Sequence, residues 1–361
     1  MEHPPLSAIS YAQFSERLNK QVIAKRIPIN GSFELTFRCN LRCVHCYCNL
    51  LLNDQDAIEK ELTCEEVFSI FDQIAEAGCL WLLLTGGEPL LRKDFLEIYT
   101  YAKKKGFLIT LFTNGTLITP KIADYLAEWL PYIVEITLYG VTKEIHEKVT
   151  GIPGSFKRCQ RGIELLLERK IPLGLKTMAM TLNRNELSDI KEYAEGLGVK
   201  FRFAPILNPK LDGSKTPCNF RLSPEEVVKL DLADEKRVNE WREFCERSIG
   251  PCQVDNLFNC GAGVSTFHID PSGQMSSCEM VRFHNYDLRR GSFEEGWHHA
   301  IPEFLALKPT SDYPCGQCEL ISLCGQCPGW AYLENANPET PVEYLCQIAH
   351  LRAEAFDTKK H

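Results

Sequence analysis

From residue 33 to about 205, short β-rich runs alternate with longer stretches whose apolar positions recur every three or four residues. The pattern predicts strands over 33–38, 80–84, 107–113, 133–138, 173–180 and 200–204. Helices are predicted between them, near 63–77, 93–105, 120–129, 156–169 and 186–196. Thr63 with Glu66 three residues on reads as a capping box, which fixes the start of the first of these helices. Six strand–helix units in succession imply an α/β fold with a parallel sheet, curved or closed, two units short of a full (β/α)8 barrel.

The pattern changes on either side. Before it, Ile9, Phe14, Leu18 and Val22 fall on one side of a short helix expected to pack outside the main body. After it, Leu207-Asn-Pro-Lys-Leu-Asp-Gly-Ser is loop-like, and Ser223-Pro-Glu-Glu opens charged helices that run to about Ser248. Residues 266–278 read as a hairpin turning at Pro271-Ser-Gly273. The expected organisation is therefore a helical segment over 1–30, a barrel over 31–206, a helical bridge over 207–250 and a small, loop-rich unit over 251–361.

Composition narrows the function. At 44% hydrophobic and 24% charged, the chain can bury a sizeable core. A net charge of −8 with no Lys/Arg run longer than Lys103-Lys104-Lys105 argues against a nucleic-acid partner. No apolar run approaches the roughly 18 residues of a membrane span, and the first residues do not read as a signal peptide. Seventeen cysteines in such a chain read as metal ligands rather than disulfides, and their sensitivity to oxidation fits a reducing, anaerobic cytoplasm.

Three of these cysteines stand in Cys39-Asn-Leu-Arg-Cys43-Val-His-Cys46, directly after the first predicted strand. Three thiolates on one tight loop can hold three corners of a four-iron cluster, leaving the fourth iron open to an exogenous ligand. The competing reading is a zinc knuckle, for which His45, lying between two of the cysteines, is a poor fourth ligand. After the second strand comes Gly86-Gly87-Glu88-Pro89, and after the third Thr113-Asn114-Gly115; taken alone, each is an ordinary turn.

Together these segments resemble the radical S-adenosylmethionine (radical SAM) superfamily. The resemblance implies a partial (β/α)6 TIM-like barrel whose loop cluster binds S-adenosyl-L-methionine (SAM) and cleaves it to a 5′-deoxyadenosyl radical. It implies SAM contacts from Gly86, Gly87, Glu88, Asn114 and Thr137, with Lys176 as a counter-charge for the SAM carboxylate. One departure is that Thr137-Leu-Tyr139-Gly stands where relatives commonly have Ser-Leu-Asp-Gly. Tyr139, Lys176 and Asp270 are all candidate general bases, and the sequence does not choose among them.

Eight further cysteines lie between 252 and 346: Cys252, Cys260, Cys278, Cys315, Cys318, Cys324, Cys327 and Cys346. A zinc ribbon usually separates its C-x2-C pairs by some 15–20 residues, whereas five intervene here. The spacing resembles the SPASM extension of radical SAM enzymes, which implies two auxiliary [4Fe-4S] clusters. By that resemblance Cys260, Cys278 and Cys327, with Cys252 as candidate fourth ligand and Cys245 as the alternative, hold one. Cys315, Cys318, Cys324 and Cys346 hold the other. Two residues separate Cys324 from Cys327, where relatives usually have three. The remaining Cys48, Cys64, Cys79, Cys159 and Cys218 read as inert thiols, although Cys48 stands close to the radical loop.

The expected function is thus a radical peptide or protein modification: crosslinking, excision or oxidation of a ribosomal peptide. The expected partners are the peptide, a separate leader-recognition protein and an external electron donor such as flavodoxin or ferredoxin. Tetrapyrrole side-chain modification, formylglycine formation in sulfatases, and a non-enzymatic iron–sulfur electron carrier are the alternatives.

Overall fold

The structure is a computed structural model, and it describes residues 11–48, 50–248 and 255–356. Nine strands form one sheet: β1 (Asn30–Thr36), β4 (Trp81–Gly86), β5 (Leu108–Thr113), β6 (Ile133–Thr137), β7 (Leu173–Met178), β8 (Lys200–Ala204), β9 (Thr266–Ile269), β10 (Gln274–Ser276) and β11 (Tyr286–Asp287). A two-stranded ladder, β2 (Arg38–Cys39) with β3 (Leu50–Leu51), stands apart from it. The sheet order is β11-β10-β9-β1-β4-β5-β6-β7-β8, so the six predicted strands run side by side and parallel. The chain adopts the expected partial barrel.

The first strand begins three residues earlier than expected. Its register explains why: Gly31 is covered by the Phe267 ring of β9, with 2.4 Å left for any Cβ at that position. Only glycine admits that contact. Phe33 and Leu35 alternate with Ser32, Glu34 and Thr36, and Phe33 meets Phe71 edge-on at 5.3 Å in the apolar layer beneath the helices.

That helical layer is α1 (Tyr11–Lys25), α2 (Cys64–Glu76), α3 (Phe95–Lys104), α4 (Pro120–Glu128), α5 (Lys143–Thr150), α6 (Ser155–Glu168) and α7 (Leu187–Gly196). Both arms of the Thr63–Glu66 capping box form. Val22 of α1 is buried, while Ile9 lies outside the described residues. Helix α5 has no counterpart among the predicted elements; Thr142 caps its start and Gly151, at φ 68°, ends it.

Beyond the barrel come α8 (Pro224–Asp231), α9 (Glu235–Ser248), α10 (Pro328–Asn335) and α11 (Glu343–Phe356). The hairpin at 266–276 does not stand apart. Strand β9 pairs in parallel with β1 from Asn30↔Thr266 to Phe33↔Ile269, extending the barrel sheet by three strands. Among the described residues no helix is long and apolar enough to cross a membrane.

Candidate active site

The C-terminal ends of the barrel strands converge on a partly open cavity of about 420 Å3. Its first wall is the loop after β1. Arg38 leaves the strand in an ion pair with Glu61 at 2.8 Å, and the loop returns through Leu50 N–H to the carbonyl of Phe37. Arg42 N–H and Val44 N–H donate to the carbonyls of Thr150 and Val149, so the end of α5 braces the stretch between the cysteines. Cys39, Cys43 and Cys46 all face the cavity.

Burial first, and Glu88 second, push Cys39 up to about 12. Burial, then the charges of Cys46 and Cys39, raise Cys43. Among the described residues no three His, Cys, Asp or Glu side chains converge on a single ion. A cube of iron and sulfide holds its corner ligands farther apart than one ion does. Three soft donors, half-buried at the cavity wall and mutually repelling as thiolates, fit such a group.

The Gly86–Gly87 turn forms the next wall of the cavity. Its two glycines admit another stretch of backbone. A Cβ on Gly86 would lie 2.2 Å from the Thr36 carbonyl oxygen, and one on Gly87 2.3 Å from that of Arg38. Gly87 N–H and Glu88 N–H donate to those same two carbonyls, at 2.7 and 2.9 Å. The turn is thereby bolted to the cysteine loop.

Glu88 is fully buried and does not line the cavity. Its carboxylate accepts from Thr113 Oγ1 at 2.8 Å, Asn114 N–H at 2.8 Å and Leu90 N–H at 3.1 Å; burial pushes its pKa up to about 7. Its carboxylate holds the next loop in place. Asn114 does face the cavity, and its Nδ2 donates to Asn40 Oδ1 at 2.9 Å and lies 3.8 Å from Cys39 Sγ.

Thr137, Tyr139 and Lys176 line the opposite wall. Tyr139 meets His45 edge-on at 4.9 Å, and Lys176 Nζ sits over the Phe112 ring. Burial depresses Lys176 well below its usual value. Asp270 stands elsewhere: its carboxylate caps the hairpin turn through Ser272 and Gln274 N–H, and pairs with Arg282.

Several cavity residues were not expected from the sequence. Glu279, next to Cys278, reaches the cavity from the C-terminal segment. Arg202, paired with Glu135, reaches it from β8. His45 Nδ1 is buried with no hydrogen-bond partner among the described residues, and burial lowers the ring to about 4. Only the position of His45, inside the cysteine loop, was a usable signal in the sequence.

Among the described residues, seven distal cysteines gather in two places. Cys278 is pushed up to about 12 by burial and by its neighbours Cys327 and Cys260. Cys324, also raised to about 12 by burial, has Cys346, Cys315 and Cys318 around it. Cys252 lies outside the described residues. Cys245 packs in an apolar cluster with Leu323 and Cys324, beside the second group. Cys48 is buried, its thiol raised by a hydrogen bond with Cys46 and by desolvation.

A parallel partial barrel with a thiol-lined cavity at its strand ends defines the class. Residues 33–196 match the Radical SAM superfamily, so the chain is an enzyme that carries a radical SAM domain. The chain is 28% identical to the AdoMet-dependent heme synthase of Methanosarcina barkeri (strain Fusaro / DSM 804), over 83% of this chain and 91% of that one. It is 26% identical to the antilisterial bacteriocin subtilosin biosynthesis protein AlbA of Bacillus subtilis (strain 168), over 86% of this chain and 68% of AlbA. In fold it resembles Streptococcus suis SuiB bound to its precursor peptide SuiA, with a TM-score of 0.69 at 14% identity, covering 96% of this chain and 84% of SuiB.

Proposed function

We propose that this enzyme modifies a peptide or protein side chain by radical hydrogen abstraction. In this reading Cys39, Cys43 and Cys46 hold a [4Fe-4S] cluster, and Gly86, Gly87, Asn114 and Thr137 border the place for SAM. Bound there, cluster and SAM supply a 5′-deoxyadenosyl radical. The chain's own residues do the rest. The bolted Gly86–Gly87 turn and the Glu88–Asn114 bridge keep the walls fixed. The His45–Tyr139 ring pair packs edge-on in the cavity lining and links the cysteine loop to the opposite wall. Lys176 and Arg202 offer donors to a carboxylate.

The observation that carries the peptide reading is the mixed polarity of the cavity lining. Lys176, Arg202, Glu279 and Asn208 offer donors and acceptors of both charge signs, as a polypeptide segment with amide groups requires. SAM would fill most of about 420 Å3, so the substrate enters as one projecting side chain through the open mouth. Glu279 stands where it can take a proton from that side chain.

Cys260, Cys278 and Cys327, with Cys252, are proposed to hold one auxiliary cluster, and Cys315, Cys318, Cys324 and Cys346 a second. These would accept the electron left on the substrate. We take 31–206 as the radical unit, 207–250 as the bridge and 251–361 as the auxiliary unit. A leader-recognition protein, a flavodoxin or ferredoxin donor and a reducing cytoplasm complete the proposal. Anaerobic incubation with SAM, reductant and precursor peptides encoded beside the gene, read by mass spectrometry, tests it. A mass change in one peptide is expected; unchanged peptides together with turnover of an iron tetrapyrrole overturn it. That second substrate is worth including because the heme synthase relative is matched over 91% of its length.

A further inference from the structure

A fully buried carboxylate in the barrel serves no role in the chemistry above. Glu34 of β1 has no solvent exposure, and three donors from three distant segments meet on it. Tyr47 Oη donates to it at 2.8 Å, His268 Nε2 lies 3.1 Å away and Arg282 Nη2 donates at 3.1 Å. Tyr47 follows Cys46 directly and lines the cavity. His268 lies on β9, beside Ser32 in the sheet register. Arg282 comes four residues after Cys278; its Nε donates to the Glu279 carbonyl at 2.9 Å and its Nη1 reaches Asp270 at 3.4 Å.

Burying a carboxylate costs several kcal/mol before its partners repay it, and an apolar residue at this position would fold more cheaply. Phe33 and Leu35 show that the same strand accepts apolar side chains on its other face. What the charge provides is a fixed geometry between parts of the chain more than 230 residues apart. Tyr47 extends from the radical loop, and Arg282 fastens the backbone of Glu279, which reaches into the same cavity. His268 and Arg282, with Tyr47, hold Glu34 in its charged form against desolvation.

We propose that Glu34 is a positioning residue that pins the Cys278–Arg282 segment to the radical loop and so sets how closely Glu279 and Cys278 approach the cavity. This rests on the reading that Cys39, Cys43 and Cys46 form the radical site. It adds that the C-terminal segment is registered to that site by charge rather than by the hairpin alone.

The test uses full-length protein isolated anaerobically, with Glu34→Gln, Arg282→Gln and the double variant. Amide hydrogen exchange is expected to rise at least about tenfold in both 44–48 and 278–284 for Glu34→Gln, and to stay unchanged in β5. The double variant should lose clearly less than the sum of the two single changes, because the two residues share one interaction while each keeps partners of its own. Modified peptide formed per 5′-deoxyadenosine should fall at least about tenfold. Exchange that rises throughout the sheet, or in one segment only, overturns the proposal, as do additive effects in the double variant. If wild-type protein modifies no peptide, the peptide reading fails while the exchange result still decides the role of Glu34.

Discussion

The carboxylate of Glu88 accepts the backbone N–H of Asn114 at 2.8 Å, so the turn after one strand holds the loop after the next. Asn114 in turn reaches Asn40 and Cys39. The three conspicuous motifs of the sequence are therefore one hydrogen-bonded unit. Replacing Glu88 with Ala leaves Thr113 Oγ1 and two N–H groups without their acceptor, at about 1–3 kcal/mol each for those that stay dry. We expect a lower melting temperature and a loss of at least about tenfold in 5′-deoxyadenosine formation, although Glu88 itself does not line the cavity. Thermal denaturation and product chromatography on the same sample check both.

Gly87→Ala should be far more harmful than its size suggests, because the new Cβ would lie 2.3 Å from the Arg38 carbonyl oxygen. The cysteine loop must move, and about a hundredfold loss in SAM cleavage is expected. Gly196→Ala is the control. A Cβ there meets nothing within 4 Å, so the variant should gain about 0.4–1 kcal/mol in unfolding free energy.

His146, buried behind Tyr139, is depressed by desolvation from 6.5 to about 4. A histidine whose pKa is lowered by folding supports the fold fully above 6.5 and loses that support as pH falls towards 4. Between pH 6.5 and 5 this amounts to about 2 kcal/mol, at about 1.4 kcal/mol per unit. Denaturant titrations of wild type and His146→Phe should show that much less loss on acidification in the variant.

Anaerobic iron and sulfide analysis should find about twelve irons per chain, and about eight when Cys39, Cys43 and Cys46 are replaced by Ala. About four in the wild type would remove the C-terminal clusters from the account.

The parallel core was legible because each strand–helix unit carries its own local signature: the Thr63–Glu66 cap forms as expected, and β8 occupies the predicted 200–204. What escaped was non-local. The pairing of β9 with β1 joins residues 236 positions apart, and no window of sequence holds both. Glu34 looked like the polar phase of an ordinary alternating strand until its partners from 47, 268 and 282 were in place. Glu279 gave no sign of reaching the barrel, since only the fold of the hairpin brings it there. Helix α5 was hidden by its short length and strongly polar composition, with Ile145 and Val149 its only aliphatic side chains.

The most direct test of the account is to follow the hydrogen. A precursor peptide carrying deuterium at its candidate side chains is incubated anaerobically with enzyme, SAM and reductant, and the 5′-deoxyadenosine is analysed by mass spectrometry. Deuterium in that product, matched by a modified peptide, is the predicted result. Unlabelled 5′-deoxyadenosine beside a peptide of unchanged mass would contradict it.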